Sequence, residues 1–307
     1  MTGVLPSVIG AIGGTPLVEL SRIRDELELD GRLLAKLDYL MPGFSKKDRA
    51  AREIVDAARE SGELAEGQVV VELTSGNMGT GLAIVCGVLG HPFVAVMSEG
   101  NSEERARMMR ALGAEVVLVP QAEGSRKGEV SGADLALVEA EARRITEARG
   151  AFRADQFARE GNPAAHERGT APEIWAQSGG AVTAFCDFIG SGGTLGGAAR
   201  YLAPKGVRCY AVAPDRPEHP IQGGGYSMPE LRHLEGVNLA GTETVSGAEA
   251  AEHTRLLARR EGIFGGYSAG ANLAAAVRLL KGPERGGCVG FVVCDSGLKY
   301  LSTDLWG

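Results

Sequence analysis

Three short segments carry residues whose types and spacing suit chemistry. Gly190-Ser191-Gly192-Gly193-Thr194-Leu195-Gly196-Gly197 follows an apolar run ending at Ile189 and precedes a helical pattern. Positions without side chains let backbone N–H groups at a helix start approach phosphate oxygens, and the Ser and Thr hydroxyls add donors. Thr74-Ser75-Gly76-Asn77-Met78-Gly79 has the same strand-to-helix placement and suits a carboxylate, although an ordinary turn uses these residue types too. In Gly43-Phe44-Ser45-Lys46-Lys47-Asp48-Arg49, Ser45 and Asp48 are spaced as a capping box, which places Lys47 in the first helical turn. There an ammonium faces the positive end of the helix dipole, at a cost of up to ~1 kcal/mol, and its pKa falls. A neutral or imine-forming lysine fits better than a solvated cation. Two anion cradles and such a lysine ask for a phosphate, a carboxylate and an amine-reactive carbonyl, the three groups of pyridoxal phosphate carrying an amino acid. A nicotinamide-dependent dehydrogenase is a rival reading. Its fingerprint needs a third glycine where Leu195 stands, and Gly196 comes one place late, but Asp215 could imitate the ribose-binding acid.

The elements that must position these loops are short β-branched runs alternating with longer amphipathic stretches, the pattern of a parallel sheet covered by helices. Strands are expected at Leu33–Leu37, Val69–Leu73, Pro92–Met97, Val116–Val119, Ala184–Ile189, Arg208–Ala213 and Val289–Cys294. Helices are expected near Asp48–Ser61, Gly79–Leu89, Ser102–Leu112, Ala133–Arg149, Arg168–Ala176, Thr194–Leu202, Ala248–Glu261 and Ala269–Leu280. The stretches Gln121–Gly132 and Pro214–Leu239 lack apolar periodicity, and long loops in compact domains are usually functional. A chain of 307 residues with 44% hydrophobic and 23% charged residues folds around a substantial core, which excludes a disordered tail protein. Its 45 glycines are about twice the usual ~7% and call for tight turns and close backbone approaches. A formal charge of −7 without a basic block argues against nucleic acid as a partner. The longest apolar run, Gly81–Met97, is broken by His91 and Pro92, and no charged leader precedes Arg22, so the expectation is a cytoplasmic protein that does not enter a membrane. Cys86, Cys186, Cys209, Cys288 and Cys294 lack metal-ligand spacing and read as buried thiols. His91, His219, His233 and His253 are scattered and are expected near the surface; no metal site is expected.

Gly13-Gly14-Thr15-Pro16-Leu17-Val18, Ser45–Arg49, Thr74–Asn77, Gly190–Thr194, Gly265–Gly270 and Asp295-Ser296-Gly297 occur in the order found in fold-type II pyridoxal-phosphate enzymes. More narrowly, with Gln156-Phe157, Asn162-Pro163, His166-Glu167 and Tyr300–Thr303, the chain resembles the cysteine synthase (O-acetylserine sulfhydrylase) and cystathionine β-synthase group over about residues 9–303. The resemblance implies an α/β, two-domain, tryptophan synthase β-like fold with parallel-rich sheets flanked by helices. Residues 40–150 would form a smaller, mobile substrate-binding domain, and residues 1–39 with 151–307 a larger domain that binds the cofactor phosphate, the implied partners being a small amino-acid substrate and a second copy in a homodimer.

The resemblance further implies that Lys47 bonds the cofactor pyridoxal 5'-phosphate, while Lys46, at the motif's variable position, is solvated. Asn77 would bond the ring hydroxyl, Thr74, Ser75, Gly76 and Gln156 would hold the substrate carboxylate, and Gly190, Ser191, Gly192, Gly193 and Thr194 would cup the phosphate. Ser296 would face the ring nitrogen, with neighbouring Asp295 as the competing group. Met78 replaces the family's threonine; it either alters the substrate site or is plain core. Gly225 and Tyr226 stand where the family has a substrate loop, and Arg216 or Arg232 could meet a phosphorylated donor. The implied activity is β-replacement on O-acetylserine or O-phosphoserine with sulfide or another nucleophile, giving cysteine or a β-substituted alanine. The alternative within the family is β-elimination and deamination of serine or threonine.

Overall fold

The computed structural model describes residues 3–125, 130–217, 219–222, 224 and 231–307. Ten strands, β1 (Leu17–Glu19), β2 (Arg32–Lys36), β3 (Val70–Leu73), β4 (Phe93–Ser98), β5 (Glu115–Val119), β6 (Phe152–Arg153), β7 (Ala184–Phe188), β8 (Arg208–Pro214), β9 (Gly241–Val245) and β10 (Cys288–Val292), form two sheets among the described residues. The larger has the order β1-β2-β10-β7-β8-β9 and the smaller β5-β4-β3-β6. Every neighbouring pair is parallel except β1 with β2. Parallel strands require crossovers, and helices α1 (Ser21–Glu26), α2 (Lys47–Ser61), α3 (Asn77–Leu89), α4 (Glu103–Ala111), α5 (Gly132–Arg149), α6 (Gly161–Ala165), α7 (Ala171–Gln177), α8 (Gly193–Leu202), α9 (Gly247–Leu256) and α10 (Tyr267–Lys281) supply them.

The apolar runs become strands because both faces of each sheet are covered. β3, β4, β7 and β10 are buried at every position. The elements without a sequence signal are β1, β6, β9, α1 and α6. β1 and β6 are too short to show a period, and β9 is an edge strand of mostly polar residues, Gly-Thr-Glu-Thr-Val. β6 adds to the smaller sheet just past residue 150, so that sheet runs from residue 70 to 153.

α5 starts with a capping box in which Ser131 and Asp134 satisfy each other's backbone N–H groups. Asp134 Oδ1 also accepts from Ala122 N at 2.6 Å and Ser125 Oγ at 2.9 Å, so both ends of the 121–132 stretch are pinned to one carboxylate. The five cysteines are free and buried. Contrary to expectation, His91 and His233 are buried. His91 Nδ1 meets Gln68 O at 3.0 Å and His233 Nε2 meets Gln156 O at 2.9 Å, and these bonds offset the cost of taking the rings out of water. No helix among the described residues is long and apolar enough to cross a membrane.

Candidate active site

The starts of α2, α3 and α10, the end of β7 with the loop after it, and Cys294 after β10 meet in one cleft. α2 is entered through the Gly43–Ser45 turn, braced from behind by Lys46 N donating to Cys294 O at 2.8 Å and by a bridge between Ser45 and Asp295. The expected capping box does not form. Ser45 Oγ is buried without a hydrogen-bond partner among the described residues, while Asp48 Oδ2 reaches past it to accept from Gly43 N at 2.5 Å. Asp48 therefore closes the turn, and burial pushes its carboxyl up to about 7 against the pull of that N–H.

Lys47 Nζ donates to Gln156 Oε1 at 2.8 Å and Ser191 Oγ at 3.1 Å. Burial, and after it the adjacent Lys46 ammonium, push the Lys47 amine down to about 8, against the attraction of Asp187 and Glu72. Lys46 is not solvated as expected. It is 8% exposed, and its Nζ lies 2.5 and 2.7 Å from the two oxygens of Asp187, which itself is 2% exposed. Burial opposes the Lys46 charge, but Asp187 outweighs it and holds the ammonium well above the usual lysine range. A buried cation keeps its charge only with such a partner, and Asp187 supplies one from within an otherwise apolar strand.

The loop Gly190–Thr194 lies along the same cleft. Gly192, the N-cap of α8, lies in the left-handed region (φ +81°) and has no side chain to cap the helix. A Cβ on Gly193 would fall on the Asn162 amide and one on Gly197 on the Pro163 carbonyl, so the start of α8 is pressed against α6 and only glycine fits. Asn162 Nδ2 in turn donates to Ser191 Oγ at 2.8 Å and Gln156 O at 2.7 Å. Thr194 Oγ1 meets His166 Nε2 at 3.3 Å, and His166 Nδ1 meets Thr170 Oγ1 at 2.9 Å; this buried ring positions the loop. An uncapped helix start with two hydroxyls and a lysine within hydrogen-bond reach of one of them fits a phosphate monoester bearing an aldehyde.

Asn77 opens α3 at the cleft, with both polar atoms engaged. Nδ2 donates to Asp295 Oδ2 at 2.8 Å and Oδ1 accepts from Lys299 Nζ at 2.7 Å. Gly76, at φ +130°, lets the chain turn into α3, and the side chain of Arg105 fills the space where its Cβ would stand. Thr74 is 2% exposed, and its Oγ1 accepts from Gly76 N and Gly79 N, both at 2.9 Å, while Ser75 O accepts from Arg105 Nη1 at 2.8 Å. The loop is thus held from behind. Met78 is 1% exposed and packs in the core with Leu82 and Met109, so of its two readings the structure supports core rather than substrate contact.

Ser296 does not line the cleft; its Oγ accepts from Leu298 N at 3.3 Å in its own turn. Asp295 Oδ2 is taken by Asn77 and by Tyr300 Oη at 2.8 Å. Ser268, beside Cys294, does line the cleft. Ser268 lies in Gly265–Gly270, a segment noticed in the sequence without singling out its serine. Asp187 was masked by its apolar neighbours, although an acid inside a buried strand was the available signal. Gln222 also lines the cleft, from the stretch 214–239. Arg216 and Arg232 are exposed, and Gly225 and Tyr226 lie outside the described residues.

The pattern of the family described as pyridoxal-phosphate dependent enzyme matches residues 8–295. A cysteine synthase of Staphylococcus aureus is 36% identical over 306 residues, covering 96% of this chain and 95% of that protein. Among solved structures, O-ureido-L-serine synthase superimposes with a TM-score of 0.86 at 34% identity, over 99% of this chain and 96% of that one. The O-acetylserine dependent cystathionine beta-synthase from Helicobacter pylori does so with a TM-score of 0.91 at 29% identity, over the whole of both chains.

Proposed function

Because the chain belongs to the pyridoxal-phosphate dependent enzymes, we propose that it catalyses β-replacement on an O-activated serine, O-acetylserine or O-phosphoserine, with sulfide or another nucleophile. The products would be cysteine or another β-substituted alanine. The observation that carries this reading is the Lys47 amine, pushed down to about 8 and held 3.1 Å from a hydroxyl of the glycine cradle. The relatives named above point the same way: cysteine, O-ureido-L-serine and cystathionine are all alanines substituted at the β-carbon.

Bound in this cleft, pyridoxal phosphate supplies an aldehyde that condenses with amines and a ring that withdraws electrons from the substrate α-carbon. Ser191, Thr194 and the N–H groups of the glycine loop would hold its phosphate and Asn77 its ring oxygen, with Lys47 the amine offered to its aldehyde. Gln156 and Ser75 would orient the amino-acid carboxylate, Thr74 bracing the Ser75 loop from within. Lys47 Nζ is the base that accepts the α-proton, and a pKa near 8 leaves about a tenth of it neutral at pH 7, against a far smaller fraction for an ordinary lysine. Ser268, in place of Ser296, is the hydroxyl offered to the ring nitrogen. A hydroxyl does not hold that nitrogen protonated as a carboxylate would, which favours loss of a β-substituent over racemisation.

The same reading makes the protein a cytoplasmic homodimer of amino-acid biosynthesis in which residues 40–150 close over the substrate against residues 1–39 and 151–307. Sedimentation tests the dimer. For the activity, borohydride reduction followed by peptide mass spectrometry should find the cofactor on Lys47, and Lys47→Ala should lose both adduct and turnover. Wild-type enzyme given O-acetylserine or O-phosphoserine with sulfide should release cysteine; a 2-oxo acid as the sole product would establish elimination instead.

A further inference from the structure

We propose that Glu72, inside strand β3, is a positioning residue that presents the Gln156 amide to the carboxylate of the amino-acid substrate. The inference rests on the proposed function, in which Gln156 orients that carboxylate. β3 reads Val-Val-Glu-Leu and is buried at every position, Glu72 at 0% exposure. An acid in such a strand costs stability that an apolar residue would not. Arg153 compensates it only in part, its Nη1 lying 3.5 Å from Glu72 Oε2 while its Nη2 donates to Glu139 at 2.8 Å.

The acid meets the chain where it leaves β6. In the parallel pairing of β3 with β6, Val71 stands opposite Arg153, and Val71 O accepts from Ala154 N at 3.1 Å. There the ladder ends. Asp155 takes φ +38°, a left-handed conformation that a residue with a side chain keeps only when its surroundings impose it. Gln156 N and Gln156 Nε2 then converge on one atom, Glu72 Oε1, each at 3.4 Å. An oxygen that faces two N–H groups acts as an acceptor, so Gln156 turns its side-chain nitrogen to Glu72 and its oxygen to Lys47 Nζ, 2.8 Å away. Asn162 Nδ2 and His233 Nε2 hold only the Gln156 main-chain carbonyl, at 2.7 and 2.9 Å, and do not orient the side chain. Among the described residues Glu72 is the one partner of Gln156 Nε2. That nitrogen carries a second N–H, which Glu72 leaves for a carboxylate beside the lysine.

The test combines turnover of O-acetylserine with sulfide, in the cofactor-loaded full chain, and amide hydrogen exchange in the cofactor-free chain. Glu72→Met, of similar volume and without a carboxylate, should raise the KM for O-acetylserine about tenfold, the loss expected when one hydrogen bond to a charged ligand is no longer aligned. Glu72→Gln, which keeps an acceptor oxygen, should return it to within about threefold of wild type. In a Gln156→Ala background Glu72→Met should add less than about twofold, because its effect passes through the amide. By hydrogen exchange, Glu72→Met should speed the Gln156 amide about tenfold or more while the Ala154 amide, bonded to Val71, keeps its rate; general loosening would speed both. An unchanged Gln156 amide, or an equal KM effect in both backgrounds, would overturn the proposal. Should Glu72→Met not fold, Glu72→Asp, which withdraws the acceptor by one carbon–carbon bond, takes its place, and a KM within about twofold of wild type would do the same. Wild-type enzyme that turns over neither O-acetylserine nor O-phosphoserine would refute the proposed function, and the exchange rates would still decide whether Glu72 holds Gln156.

Discussion

Replacing Asp295 with alanine should cost about 3–5 kcal/mol of stability and loosen Asn77, because it removes a buried carboxylate that faces two buried cations. Asp295 is 1% exposed; its Oδ2 accepts from Asn77 Nδ2 and Tyr300 Oη, each at 2.8 Å, with Arg105 Nη2 at 4.0 Å. Lys299, also 1% exposed, donates to Asn77 Oδ1 at 2.7 Å and Gly43 O at 2.8 Å. Hydrogen bonds to a charged acceptor are worth about 1.5–3 kcal/mol each, so the two lost bonds alone reach the lower end of the range. The Lys299 amine is already pushed down to about 8 by burial, with Asp295 resisting; without that carboxylate it falls further. Urea unfolding followed by tryptophan fluorescence measures the loss, and Asp295→Asn, which keeps one acceptor, should show less of it. Cofactor affinity should fall in parallel, since Asn77 loses one of its two anchors. A loss below about 1 kcal/mol with an unchanged denaturant slope would refute the argument that this carboxylate latches the loop.

Gly193→Ala should weaken cofactor binding about tenfold or more, the low end of an overpacking cost of about 1–3 kcal/mol, because the new methyl displaces the Asn162 amide that holds Ser191; a fluorescence titration with unchanged affinity would contradict the cradle. Glu72, with its carboxyl at about 7 in the folded protein and at the ordinary ~4.3 when unfolded, keeps a proton that the unfolded chain has lost between those values. Stability from this group therefore declines as pH rises through that window, and Glu72→Gln should flatten the melting-temperature curve between about pH 4.5 and 7; an identical slope would count against the assignment. Met78→Ala should cost about 2–5 kcal/mol while leaving the KM for the amino acid within about twofold, whereas a large KM change would return Met78 to the substrate site.

What could be read directly from the chain was whatever depends on neighbours in sequence. The runs that become β3, β4, β7 and β10 are apolar at every position because both faces must be covered, and the glycines from 190 onward announce a helix start that something approaches closely. Lys47 does stand at the beginning of α2, although the Ser45–Asp48 capping box from which that was expected does not form, and Lys47, Asn77 and the 190–194 loop do meet at one cleft. Short or edge elements such as β1, β6 and β9 escaped notice because too few residues face one way to make a period.

The partners of polar groups could not be read in the same manner. Lys46 and Lys47 are adjacent and chemically identical, and no local pattern says that one will be locked to an aspartate 141 positions away while the other faces Gln156 and Ser191. Nor does Ser296 differ from Ser268 in type; the turn after β10 folds one hydroxyl into its own backbone, and the start of α10 leaves the other at the cleft. Secondary structure follows from short-range sterics and periodic burial, whereas the charge state and hydrogen bonds of a buried side chain depend on which distant groups the sheet order brings beside it.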